Sequence, residues 1–156
     1  MKSAPLVIAI LVSTLISQSA SARNVEYWSY DELFSKSDFV VIAQPASKTR
    51  DTAERTLLTY NISPGVDVLG VNTEFESLLV LKGAKRKKFT LHHYRLAPYK
   101  KGGPRIILNG PALMSFTAGP VPRFYLMFLV RERDGRFAPV AQQTDPSTSV
   151  QGLHGW

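Results

Sequence analysis

The residues best equipped for chemistry in this sequence are a run of cations, Lys82, Lys85, Arg86, Lys87 and Lys88. Tyr94, Arg95, Tyr99, Lys100, Lys101 and Arg105 follow them closely. These types suit binding rather than bond-breaking. Ammonium and guanidinium groups attract anions over long range, and tyrosine rings offer flat surfaces for stacking. The partner they imply is an anionic polysaccharide, an envelope surface with anionic lipid headgroups, or an acidic protein. The plainer alternative is a solvated turn whose lysines keep the chain soluble and block edge-to-edge pairing.

Other residues with chemical capacity form weaker patterns. His92 and His93 are adjacent, so in a strand they point to opposite faces and cannot easily share a metal. His93 is expected to face the core with Leu91, and His92 to face solvent with Tyr94. Glu74 and Glu76 would share a strand face about 6.5–7 Å apart, which overlaps the carboxylate spacing of glycosidases. Such pairs usually flank a cleft from different elements, so a solvated strand face is the better account. No serine lies in a G-x-S-x-G setting, and neither G-x-G-x-x-G nor a P-loop is present. A non-enzymatic protein without metal or cofactor is expected.

The elements that must position the basic run are strands. Residues 71–94 read as a hairpin turning at Lys82-Gly83-Ala84, with Val71, Thr73, Phe75, Ser77, Leu79 and Leu81 on one side of its first strand. Phe89, Leu91 and His93 alternate likewise on the second. A lone hairpin is marginal in water, so other apolar runs must close over it. Phe39-Val40-Val41-Ile42-Ala43-Gln44 is a β-branched run ending at Pro45 and predicts a buried strand. Residues 124–130 are the most hydrophobic run after the N-terminus and predict a central strand buried on both faces. Asp134-Gly135 predicts a two-residue turn, and 137–141 the return strand, with Pro139 marking an edge or bulge.

Elsewhere the pattern is thinner. Ser29-Tyr30-Asp31-Glu32 is a capping box and predicts a short helix over 29–36, at one end of a barrel or beside a sheet. Residues 56–60 suggest a strand, and 62–70, with Pro64, Gly65 and Gly70, a loop. Residues 100–111 read as an exposed loop with a short strand at 105–108, and 112–116 as a further strand. Asp145-Pro146-Ser147 has helix-start chemistry, which suggests a short final helix or turn ending near Gly152.

The chain has 156 residues, 44% hydrophobic, and no cysteine. Met1-Lys2, an apolar stretch over 5–16 and Ala20-Ser21-Ala22 match a secretory signal peptide cleaved after Ala22. The expected arrangement is a signal over 1–22 and a single β-barrel domain over 23–156, secreted or periplasmic, with no transmembrane segment after signal removal. Without disulfides, stability must come from a hydrophobic core, which a domain of this size can supply. Short signal and missing disulfides together favour a bacterial source. Asn61-Ile62-Ser63 fits a glycosylation sequon, which matters only in a eukaryotic secretory pathway. Secretion argues against nucleic acid as the partner. Charge is unevenly spread: residues 23–76 carry 5 basic and 9 acidic side chains, whereas 77–131 carry 11 basic and no acidic ones. That asymmetry points to one basic face.

Three stretches together carry a family resemblance. They are Ser37-Asp38-Phe39-Val40-Val41-Ile42-Ala43, then Phe75-Glu76-Ser77-Leu78-Leu79-Val80-Leu81-Lys82-Gly83, then Tyr125-Leu126-Met127-Phe128-Leu129 before Asp134-Gly135-Arg136-Phe137-Ala138-Pro139-Val140. The series resembles secreted bacterial proteins related to the netrin-type and tissue-inhibitor-of-metalloproteinases (TIMP) module. The resemblance implies a five-stranded OB-fold barrel over most of 37–140. In the animal inhibitors an N-terminal cysteine chelates the protease zinc and disulfides brace the barrel. This chain has no cysteine, so inhibition by that mechanism does not carry over.

The expected fold is therefore mainly β: a small antiparallel OB-type barrel of five to six strands, with a short N-terminal capping helix and room for a short C-terminal one. The expected function is a secreted binding module acting through its basic hairpin. A protein-interaction or protease-inhibitor-like domain acting through residues 23–27 and the barrel loops is the alternative, and an unrecognised hydrolase the third.

Overall fold

A computed structural model describes residues 28–58, 66–98, 113–116, 123–141 and 148–153. One helix, α1 (Tyr30–Lys36), precedes seven strands: β1 (Phe39–Pro45), β2 (Arg50–Leu58), β3 (Val66–Lys82), β4 (Lys88–Leu96), β5 (Phe124–Arg131), β6 (Phe137–Pro139) and β7 (Val150–Leu153). The expected signal segment, 100–111, and the Asp145-Pro146-Ser147 stretch lie outside the described residues.

Five of the strands close on themselves. β1 pairs with β3, β3 with β4, β4 with β6, β6 with β5, and β5 returns to β1. All these pairings are antiparallel except β4–β6, a parallel bridge at Leu91 and Phe137. The result is a closed, mixed barrel of the small OB type, which leaves these five without a free sheet edge around the core. β2 adds to β3 outside the ring, and β7 adds to β5.

Inward-facing residues follow the two-residue period. Phe39, Val41 and Ala43 from β1, Phe75 from β3, Phe89 and Leu91 from β4, Tyr125, Met127 and Leu129 from β5, and Phe137 from β6 form one core. Rings touch along its length: Phe137–Phe39 at 5.0 Å, Phe39–Phe89 at 5.3 Å, Phe89–Phe75 at 5.6 Å and Phe75–Phe116 at 5.1 Å between centroids. Such pairs add about 0.5–1.5 kcal/mol each beyond area burial. Phe116 reaches this core from residues 113–116, which are not a strand as 112–116 suggested.

The outer face of β1 and β5 carries the helix. Ser29 caps α1, its side chain accepting from the Glu32 N–H while Glu32 Oε2 accepts from the Ser29 N–H at 2.8 Å. Leu33 then packs on Val40, Phe128 and Ala141. Of the two placements allowed for the helix, it takes the one beside the sheet.

Three further expectations need correction. First, strand β3 begins at Val66, so 66–70 is not loop; Gly70 is a paired strand residue opposite Tyr94. Second, Leu79 and Leu81 do not face the core and are 53% and 48% exposed. The β1–β3 register shifts twice: Ala43 pairs with Ser77 but Ile42 with Leu79, and Val41 pairs with Val80 but Val40 with Lys82. Leu78 and Leu81 are the extra residues, and each bulge turns the following side chains to the other face. Val80 packs on the core in place of Leu79. Third, 150–153, where the end of a short helix or turn was expected, form strand β7 along β5.

Two turn glycines take φ of +91°. A Cβ on Gly83 would meet the Asp38 carbonyl oxygen at 2.5 Å, whereas at Gly135 the nearest atom is an Arg131 guanidinium nitrogen at 4.0 Å. Gly135→Ala is therefore expected to cost about 1–2 kcal/mol through backbone strain alone. Gly83→Ala should cost about 1–3 kcal/mol beyond that, because backbone must move to admit the methyl group. Urea unfolding midpoints of the two variants will order them.

Candidate functional site

Among the described residues the basic side chains do not form one face. Lys82, opposite Val40 near the end of β3, turns its Nζ to the C-terminal turn of α1 and donates to the carbonyls of Phe34 at 2.6 Å and Ser35 at 3.1 Å. Helix carbonyls left without partners favour such a cation. Arg86 folds back over the barrel end, with its guanidinium carbon 4.8 Å from the Phe137 ring centre and 5.4 Å from that of Phe39. Its charge faces aromatic rings, where the cation–π attraction holds it. Arg95 donates from Nε to Asp51 Oδ1 at 2.7 Å, and that bond holds the Asp51 carboxyl below the usual range. Tyr94 donates its hydroxyl to Glu54, and its ring packs against that of His92 at 5.3 Å between centroids. Tyr99, Lys100, Lys101 and Arg105 lie outside the described residues.

Lys85, Lys87 and Lys88 are what remains. All three are exposed, and among the described residues no carboxylate pairs with them. Lys88 stands opposite Glu76 in the β3–β4 register, and the Lys87 carbonyl accepts from the Ser77 N–H at 2.9 Å. Beyond that bond the two arms separate. An open groove of about 460 Å³ lies between them, lined by Ser77, Leu78, Leu79 and Val80 on one side and by Lys85, Arg86 and Lys87 on the other. Tight closure at Gly83, against the Asp38 carbonyl, fixes where the arm turns back.

A second cluster, not foreseen from the sequence, occupies the outer face of β3 and β4. His92 is 3% exposed rather than solvent-facing. Its Nδ1 lies 2.9 Å from Glu132 Oε1 and its Nε2 3.1 Å from Glu54 Oε2. Glu132 also faces Arg136 Nε at 3.5 Å, and Arg136 reaches Asn72 Oδ1 at 3.0 Å and Asp134 at 2.6 Å. Burial and the bond to Glu54 push the Tyr94 hydroxyl far above its ordinary value. Glu54 arrives from β2 because the register jumps between Asp51 and Arg55, which pair with Val71 and Leu69. The extra residues loop over Gly70, and the Thr52 hydroxyl donates to the Gly70 carbonyl at 2.8 Å. The one sequence clue was Gly70 itself, since a lone glycine in an apolar strand marks a close approach.

Every carboxylate in this cluster already has partners. It clasps β2 and the β5–β6 turn onto β4. Among the described residues no group of His, Asp and Glu has the arrangement to hold a metal ion. Glu74 is exposed on the strand surface and Glu76 accepts weakly from Gln44 Nε2 at 3.5 Å, as expected of a solvated face.

His93 behaves as its alternation predicts. It is 2% exposed, its Nε2 lies 2.9 Å from the Thr73 hydroxyl, and its ring meets Phe116 edge-on. Burial lowers its pKa from 6.5 to about 4, with the charge of His92 acting the same way, while backbone bonds at Tyr94 and Met114 oppose them.

Two expectations follow. The unfolded chain protonates this histidine near 6.5 and the fold only near 4, so His93 contributes stability above pH 6.5 that is lost as pH falls through 4. The full effect is at most about 3 kcal/mol. His93→Gln should flatten the fall in unfolding free energy between pH 7 and pH 4 relative to the parent. At the other cluster, a Cβ on Gly70 would meet Thr52 Oγ1 at 2.8 Å and Glu54 Cβ at 2.9 Å. Strand propensity alone favours alanine there by about 0.5–1 kcal/mol. Steric displacement of Glu54 should reverse that sign, and Gly70→Ala is expected to destabilise by about 1–3 kcal/mol in urea unfolding.

No family model, no curated protein and no solved structure matches the chain.

Proposed function

We propose that the protein is a non-enzymatic module, acting outside the cytoplasm, that binds an anionic polymer or surface through the end of the β3–β4 hairpin. The observation that carries this is the contrast between bases with partners and bases without. Lys82, Arg86 and Arg95 are engaged by helix carbonyls, aromatic rings and Asp51. Lys85, Lys87 and Lys88 sit exposed within four residues of one another, in a segment free of acids from 77 to 131.

Exposed cations on a flexible tail would lose ordering entropy on binding. Here the turn is anchored at both ends, by Gly83 against Asp38 and by the Ser77–Lys87 bond. Their potentials therefore add at a fixed place, which steers and orients an anionic partner.

Retention on heparin at low salt tests this. The parent should bind and elute as salt rises, since exposed charge pairs are screened within about 10 Å at 0.1 M. Replacing Lys85, Lys87 and Lys88 together by Gln should move elution to clearly lower salt, whereas Arg95→Gln should move it little. Equal elution of the triple variant and the parent would remove the assignment.

A further inference from the structure

We propose that the anionic partner of this hairpin end is a phospholipid bilayer with anionic headgroups, and that Leu78, Leu79 and Leu81 seat in it beside the lysines. The inference rests on the binding site proposed above and names its partner. Leu78, Leu79 and Leu81 are 50%, 53% and 48% exposed. They fall within four residues, at the part of β3 where pairing with β4 has ended and only β1 continues alongside. Phe34, 43% exposed, stands beside them through Lys82, whose ammonium lies 5.1 Å from its ring. Half of the exposed large hydrophobics among the described residues thus gather at one end of the barrel.

The groove joins this apolar group to the cations, because Leu78 and Leu79 line one wall and Lys85 and Lys87 the other. Charge complementarity then decides between partners. A hydrated polyanion gains from the lysines and nothing from the leucines. The boundary of an anionic bilayer takes both: leucine side chains enter at the acyl margin, while lysine stems lie along them and their ammonium groups stay at phosphate level. Two acids lie near this end. The Asp38 carboxylate accepts from the Arg131 N–H at 2.9 Å, and Glu76, opposite Lys88 in the β3–β4 register, accepts weakly from Gln44 at 3.5 Å and forms no ion pair with the lysines among the described residues.

The β-bulges give the arrangement its origin. Without them Leu79 and Leu81 would follow Phe75 and Ser77 into the core side; with them Val80 goes in and the leucines come out. A fold that needs only a turn here has no use for three outward leucines.

Co-sedimentation with vesicles tests the proposal, comparing phosphatidylcholine alone with phosphatidylcholine mixed with phosphatidylglycerol. The parent should sediment with the mixed vesicles and not with the neutral ones. Replacing Lys85, Lys87 and Lys88 by Gln should weaken vesicle binding on the order of fivefold per lysine and reduce heparin retention as well. Leu78→Ser with Leu79→Ser should weaken vesicle binding roughly tenfold and leave heparin retention unchanged. The single Leu79→Ser variant, whose side chain points outward, should give a smaller loss in the same direction if the double variant proves unstable. Vesicle binding unaffected by the leucine changes would overturn the proposal, as would heparin retention without any binding to anionic vesicles. Failure to bind either polyanion or vesicle would instead remove the basic site on which it rests.

Discussion

A strand of seventeen residues cannot keep one face against the core of a small barrel along its whole length. At about 3.3 Å per residue β3 is roughly 55 Å long, several times the thickness of a packed core. It survives because its partners change along it: β2 from Val66 to Asn72, β4 from Val68 to Glu76, and β1 from Phe75 to Lys82. Only the middle, Val71, Thr73 and Phe75, is buried on the barrel side in strict alternation. Both unusual surfaces of the molecule lie where that middle stops.

At the first end the adjustment is made by a partner strand. β2 carries residues in excess between Asp51 and Arg55, and Gly70 gives them space to cross β3. The crossing delivers a carboxylate to a histidine on β4, two strands away. At the second end β3 itself carries the excess, at Leu78 and Leu81, and the side chains that follow exchange faces. One end therefore becomes a closed polar clasp and the other an open apolar and basic edge. Between them the core needs no cross-link. Phe39, Phe75, Phe89, Phe116, Tyr125 and Phe137 form a continuous aromatic interior, so a barrel without cysteine can stand on burial.

How much of this could be read in the sequence follows from the range of each interaction. Local rules succeeded: the Ser29–Glu32 capping box, the β-branched run at Phe39 and the uninterrupted run at Phe124 all became the elements they predict. The chain also turns at Asp134-Gly135, but over three residues rather than two, with the Glu132 N–H donating to the Arg136 carbonyl at 2.8 Å and Gly135 at φ +91°. Period two also placed Phe75, Phe89, Leu91 and His93 correctly, because no bulge lies between them and the β3–β4 register. It failed at Leu79 and Leu81, since a bulge depends on where β1 docks and leaves no mark in local composition. His92 defeated the alternation differently. It does point outward, but outward is not the same as solvated when Glu54 and Glu132, 38 and 40 residues away, fold over it.

The charge pattern shows the same limit most clearly. Counting gave a basic half, and a basic half suggested a basic face. Yet net charge over a segment says nothing about which cations are already matched. The acids of the first half reach across to bases of the second: Asp51 to Arg95, Glu54 to His92 and Tyr94, and Asp38 to the Arg131 backbone. The partnering is selective because β2 lies alongside β3, so its acids can reach only the outer face of the middle barrel. Residues 83–87 leave the sheet to turn, so no strand lies opposite them, and Glu76 is the one acid of β3 that faces this end, across from Lys88. With β2 and its acids confined to the other end of β3, Lys85 and Lys87 stay without a carboxylate among the described residues, and the loss of β4 as a neighbour past Glu76 leaves the leucines uncovered on that side. An apolar edge and an unneutralised charge thus meet at one place, where β4 pairing ends at Glu76 and the bulges against β1 turn the leucines outward.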